Sequence, residues 1–359
     1  MTPTGRTLRA LLEEMIARGA SDLHLTAGSR PLLRIDGALR PARQGVVLGP
    51  TETEQLAGAL LTTAQQERFA REDELDCAFG IPQLARFRVN CFRQRGGVAL
   101  VFRQIPHQIQ SLQQLGLPPV IARFAERPRG LVLVTGPTGS GKSTTLAAML
   151  DKINRERQGH ILTVEDPIEF VHAHQGCLVN QREIGADTRS FARALKYALR
   201  EDPDVVLIGE MRDHETIAAG LTIAETGHLV LATLHTNGAA EAIHRIIDVF
   251  PSHQQSQVRT QLASVLEGVV TQALLPRASG AGRVAAAEVL VVTPAIRALI
   301  RDDKVHQIQS MMQSGRKFGM QTMTDALAQL VQAGLVSATE ALRVAGDPDE
   351  LQRLIGRGG

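Results

Sequence analysis

The chain has 359 residues, 43% hydrophobic and 21% charged, the composition of a globular protein of two or three domains with a substantial buried core rather than a disordered chain. Lysine plus arginine outnumber aspartate plus glutamate by 39 to 37, and this formal charge of +2 argues against a protein-wide field built for nucleic acid; with no Trp and one Tyr, stacking platforms for single strands are scarce too. No stretch has the length of a signal peptide or the ~18 uncharged apolar residues of a membrane span, and Cys77, Cys91 and Cys177 form no C-x-x-C pair, so a cytosolic protein with reduced thiols is expected.

Leu8, Leu11, Leu12, Met15 and Ile16 recur at helical spacing over residues 7–18, with Gly19 as a stop, which predicts a short amphipathic helix. Strand-like alternation follows at 21–25, 31–35, 74–79, 87–92 and 97–103, with a turn at Asp36-Gly37 and a helix expected across 51–71. Together these make a small α+β domain of about residues 1–103. Residues 104–117, which contain Pro106 and Gly116 and end at Pro118-Pro119, read as a linker to a second domain over 118–359.

In that second part the apolar run Leu131-Val132-Leu133-Val134 leads directly into Gly136-Pro137-Thr138-Gly139-Ser140-Gly141-Lys142-Ser143, followed by the helix-prone Thr144-Thr145-Leu146-Ala147. Strand, glycine loop and helix in this order make a phosphate cradle. Glycines let backbone N–H groups close around the phosphates, the helix points its positive end at them, Lys142 reaches the outer phosphates, and Ser143 can ligate Mg2+. The expected nucleotide-binding stretch is Gly136 to Thr144.

Predicted strands at 160–164, 205–208 and 229–233 alternate with helices, one of them at 189–200, so a parallel sheet covered on both faces is expected, with phosphate chemistry at the carboxyl ends of its strands. Beyond Asn237 the pattern is mainly helical (239–249, 253–275, 294–300, 305–315 and 320–333), with one strand or hairpin at 283–292 and a polar tail, 346–359, expected to fray.

Three constellations fall at or beside those strands. Glu165-Asp166-Pro167-Ile168-Glu169 follows the second strand, where carboxylates could orient water or hold Mg2+ indirectly through Glu169; alone, such a turn is equally a helix-start device. The run Asp204-Val205-Val206-Leu207-Ile208-Gly209-Glu210 is a buried strand ending in an acid, and with Gly209 before it Glu210 must serve alone as a ligand of Mg2+-bound water or as catalytic base. His228 and His235 flank the strand at 229–233, where a histidine could bond the terminal phosphate. No third ligand lies at zinc spacing. In the first domain Arg86, Arg88, Arg93, Arg95 and Arg103 read either as a charged sheet face or as arginines acting on a neighbouring subunit's nucleotide.

These residues resemble the type II/IV secretion ATPases, and within them the retraction motors of type IV pili that drive twitching motility. The resemblance rests on L-R-E-D-P-D-V-V-L-I-G-E-M-R-D at 199–213, S-D-L-H-L-T-A-G-S-R-P at 21–31, A-R-F-R-V-N at 85–90, the T-G-H-L-V-L-A-T-L-H-T box, and P-A-I-R-A-L-I-R-D-D-K at 294–304, and it runs over about residues 7–345. It implies a RecA-like P-loop ATPase core with a helical C-terminal region, about 238–359, preceded by a small PAS-like α+β domain. It also implies a homo-hexamer in which ATP binds between the two domains and hydrolysis changes their relative angle. The catalytic set implied is Lys142, Glu165, Glu210, His228 and His235, completed by Arg86, Arg88 and Arg103. Partners implied are an inner-membrane platform protein at the pilus base and a second retraction ATPase; nucleic acid is not among them. Ala298 and Asp302 depart from the Asn and Glu usual in the last motif. The alternatives are an accessory retraction paralogue and an assembly or type II secretion ATPase, although the extra N-terminal domain and paired C-x-x-C motifs usual in the last group do not occur.

Overall fold

A computed structural model describes residues 3–356 except 36, 44, 82–83, 106–107 and 281, with backbone alone for 3–7; the expected turn residue Asp36 and the linker residue Pro106 lie outside the described residues. The chain divides into two compact units, Met1–Gln108 and Ile109–Gly359.

The first unit runs α1 (Pro3–Ala17), β1 (Asp22–Thr26), β2 (Leu32–Ile35), β3 (Ala38–Pro41), α2 (Pro50–Leu60), α3 (Thr63–Glu72), β4 (Glu74–Ile81), β5 (Ala85–Gln94) and β6 (Gly97–Ile105). Its strands form one antiparallel sheet in the order β3-β2-β1-β6-β5-β4. Alternation along β5 sends Ala85, Phe87, Val89 and Cys91 inward and leaves Arg86 and Arg88 on the opposite face. Phe87 packs edge-on against Phe102 at 6.4 Å, and burying each ring contributes about 2–3 kcal/mol. The single helix expected over 51–71 is two helices. Leu61 is extended, and Thr62 caps α3 while Gln65 bonds back to the Thr62 N–H, a reciprocal box that starts a new helix.

The second unit opens with α4 (Val120–Ala125) and continues β7 (Gly130–Thr135), α5 (Lys142–Glu156), β8 (His160–Glu165), β9 (Leu178–Glu183), α6 (Phe191–Ala198), β10 (Val205–Ile208), α7 (His214–Glu225) and β11 (Leu229–Leu234). It ends with α8 (Ala239–Asp248), α9 (Ser252–Val265), β12 (Leu266–Pro276), β13 (Arg283–Val291), α10 (Pro294–Arg301), α11 (Ile308–Ser314), α12 (Met323–Gln332), α13 (Ala338–Val344) and α14 (Pro348–Gly356). The sheet order is β13-β12-β7-β11-β10-β8-β9, parallel throughout except for β13. Fully buried strands such as β7 and β11 have apolar cores on both faces, one around Ile208 and Ile243, the other around Phe124 and Met149.

Four expectations are corrected here. Residues 266–275 are strand, not helix, so the C-terminal part contributes β12 and β13 to the sheet rather than only packing helices beside it. The tail is not frayed through 356, because α14 buries Leu351 completely. The edge strand β9 went unforeseen. The expected linker is incorporated in part, since Leu112 and Leu117 are buried in the same core as Phe124.

Gly268 shows why β12 has the sequence it has. A Cβ there would collide with Cζ of Phe124, which is 1% exposed. Gly268→Ala is therefore expected to destabilise the protein by about 1–3 kcal/mol, read as a lower denaturation midpoint. An unchanged midpoint would mean the ring moves aside at no cost.

Candidate active site

The loop after β7 is built by its glycines. Gly136, Gly139 and Gly141 take φ of 135°, 80° and 94°, a region that disfavours side chains, and a Cβ on Gly136 would collide with the Gln272 carbonyl oxygen. α5 then begins at Lys142, with Ser143 in its first turn exposed. Lys142 is 8% exposed; its Nζ donates to the carbonyls of Gly136 (2.8 Å) and Pro137 (3.0 Å), closing the loop on itself. Burial lowers the Lys142 pKa, and the charge of Glu210 opposes that shift. The Ser140 hydroxyl is buried in the loop without a hydrogen-bond partner. A cradle of left-handed glycines, a buried amine and an unsatisfied hydroxyl fits a polyphosphate.

Three further groups stand at the carboxyl ends of the strands beside β7. Glu210 ends β10. Its Oε1 accepts from Arg212 Nε at 2.5 Å and lies 3.0 Å from His235 Nε2, at the end of β11. Gly209 precedes Glu210 because β10 and β8 converge there: its N–H donates to Val164 O at 2.8 Å, and a Cβ would stand 3.1 Å from the Glu165 Cα. A side chain at that position would press on the backbone of β8.

Glu165, ending β8, is 7% exposed. Its carboxylate accepts from the Thr163 hydroxyl (2.7 Å), the Glu169 N–H (3.3 Å) and the Gln181 amide (3.3 Å). Burial nevertheless raises its pKa, outweighing those bonds to the anion. Because the folded form holds the proton more tightly, the associated stability is complete below the ordinary carboxyl pKa and is lost as pH rises through the raised one. Glu165→Gln should abolish that loss. The melting-temperature difference is expected to widen in the variant's favour between about pH 4 and about pH 8; a difference independent of pH would contradict the assignment.

Not every expected residue joins this group. His228 stands at the amino end of β11, where its carbonyl accepts from the Gly130 N–H at the start of the neighbouring strand and its ring bonds the Ile223 carbonyl and the Thr226 hydroxyl, both at 3.1 Å. With β11 six residues long, it lies about 20 Å from His235. Its contacts within the chain tie the turn after α7 to the start of β11. Glu169 is exposed, with its N–H on Glu165, and Pro137, Thr138 and Thr144 line the open side of the loop and first turn.

In the first unit Arg88 and Arg103 sit opposite one another on β5 and β6, with Arg86 two residues along the same face. Arg103 Nε donates at 2.8 Å to Asp22, a carboxylate only 3% exposed that also attracts Arg34 at 3.8 Å, while Arg88 Nε is 4.0 Å from Asp76. Arg93 has a structural use: it bonds Asp73 and covers the Phe69 ring. Sequence reading missed Arg212, Gln181, Thr163 and Asp22. Arg212 lay in plain view within the G-E-M-R-D run, whereas Gln181 was hidden with β9.

Residues 1–343 match the family model of the type II/IV secretion system proteins. The chain is 50% identical to the type IV pilus retractation ATPase PilT of Pseudomonas aeruginosa over 94% of its own length and 98% of that protein's. It is 48% identical to the twitching motility protein of Neisseria gonorrhoeae, over 89% and 86% respectively. Among solved structures, the pilus retraction motor PilT with bound ADP superposes with a TM-score of 0.90 at 47% identity, covering 96% of this chain and 98% of that one. Both the parallel α/β core and the α+β unit before it are thus of the kind the sequence motifs implied.

Proposed function

The chain belongs to the type II/IV secretion system protein family, and from that premise we propose that it is the ATP-hydrolysing motor that retracts type IV pili. It is an ATPase. The observation that carries the reading is the convergence of Lys142, Glu165, Glu210 and His235 at the carboxyl ends of adjacent strands, behind a loop shaped for polyphosphate.

In the reaction a water oxygen bonds to the terminal phosphorus as the bond to the bridging oxygen breaks, giving ADP and phosphate. Lys142 leaves the two loop carbonyls for the terminal phosphate oxygens and stabilises the charge that builds there. Glu210 exchanges its contact with Arg212 or His235 for the attacking water and accepts its proton. His235, on the same carboxylate, reports whether the terminal phosphate is present. Glu165 stays fixed by Thr163 and Gln181 and supports the turn to Glu169. Ser143 and Glu210, with Glu169 further out, are the residues that would hold Mg2+, which when bound offsets charge on the phosphate oxygens.

The assembly proposed is a homo-hexamer on the cytoplasmic side of the inner membrane, at the pilus base; no helix among the described residues is long and apolar enough to cross a membrane. Arg86, Arg88 and Arg103 are assigned to the neighbouring subunit's nucleotide, a role their shared outward face allows. The platform protein is assigned to α10. There Ile296 is wholly buried, so transmission falls to the exposed Ala295 and the half-buried Leu299. Deleting the gene and imaging surface pili tests the direction of the motor. Cells crowded with unretracted pili are expected; bald cells would make this an extension motor instead.

A further inference from the structure

A cleft of about 510 Å3 opens between the turn after β9 and the outer side of α6. β9 is the edge strand, four places from β7 in the sheet, so at about 4.8 Å per strand the cleft is about 19 Å from the nucleotide loop.

Arg182, Arg189, Arg193 and Arg200 line it against two carboxylates, Asp187 and Glu201. Four positive charges less two negative leave +2, as much as the formal charge of the whole chain. Both carboxylates are already occupied. Glu201 accepts from Arg182 at 2.6 Å, and Asp187 accepts from the Glu183 N–H at 2.8 Å. Arg200 stands 5.7 Å from the centre of the Tyr197 ring, a ring on a residue 42% exposed. Arg189 and Arg193, both exposed, meet no carboxylate among the described residues.

Guanidinium groups gathered in one concavity repel each other unless an anion joins them. Their planar forks match phosphate oxygens two at a time, better than a carboxylate-poor solvated surface requires. The Tyr197 ring and the Thr188 hydroxyl add a flat wall and a further donor. We propose that this cleft is a second anion site, binding a small phosphate-bearing group independently of the nucleotide loop.

The test uses the full-length protein saturated with Mg2+ and ADP, so that the loop after β7 is filled. One arm titrates inorganic pyrophosphate by calorimetry; the other sediments the protein with phosphatidylglycerol vesicles, which separates a free phosphate from a lipid headgroup. Both arms compare wild type with Arg189→Gln/Arg193→Gln, whose ATP turnover and melting temperature should be those of wild type because both side chains are exposed. Binding in either arm that weakens with salt, and weakens at least about tenfold in the double variant, supports the site. Arg193→Lys, keeping charge but losing the fork, should fall between the two. No binding by wild type in either arm, or equal binding by the double variant, overturns it.

Discussion

Replacing Lys142 by Ala is expected to lower Mg2+-dependent phosphate release at least about 10^2–10^3-fold while the protein stays folded. The amine is the only positive side chain within the loop Gly136 to Ser143, and the charge it would meet in the transition state has no substitute there. It makes two hydrogen bonds to loop carbonyls, worth about 1 kcal/mol each, and pays for them with the burial that lowers its pKa. Those effects oppose one another, so the melting temperature should move by only a few degrees. Loss of turnover with loss of fold would make Lys142 a structural residue; unchanged turnover would remove it from the site.

Glu210→Gln separates chemistry from binding. The amide keeps the shape and can still bond His235, but it accepts no proton, so turnover should fall about 10^2–10^4-fold. Nucleotide affinity should hold within about threefold, since the loop and α5 are untouched. Turnover within tenfold of wild type would pass the base role to another group, and Glu165, held by three donors and pushed toward its neutral form, is poorly suited to take it.

What the sequence disclosed follows from how far apart the cooperating residues are. The loop from Gly136 to Ser143 is contiguous, so its whole chemistry is written in eight letters. Glu210 is legible because a buried strand and its terminal acid are contiguous too. The two histidines needed one more step: their box is short, yet the six-residue strand between them sends His228 and His235 to opposite ends of β11. β12 was illegible for a physical reason. A strand buried on both faces loses the period of two, and Leu266, Val269, Val270, Ala273 and Leu274 happen to recur at helical spacing. β9 failed in the opposite sense, as an edge strand with Asn180, Gln181 and Arg182 in its middle, and the partner that fixes Glu165 was lost with it. Asp22 gave no signal until β1 and β6 paired and set it beneath Arg103.

The most direct measurement is time-lapse imaging of labelled pili in cells whose only copy of this protein carries Glu210→Gln. Pili that extend, attach and then fail to shorten are the predicted result. Retraction events at the wild-type frequency and speed would contradict the claim that hydrolysis at this site powers retraction.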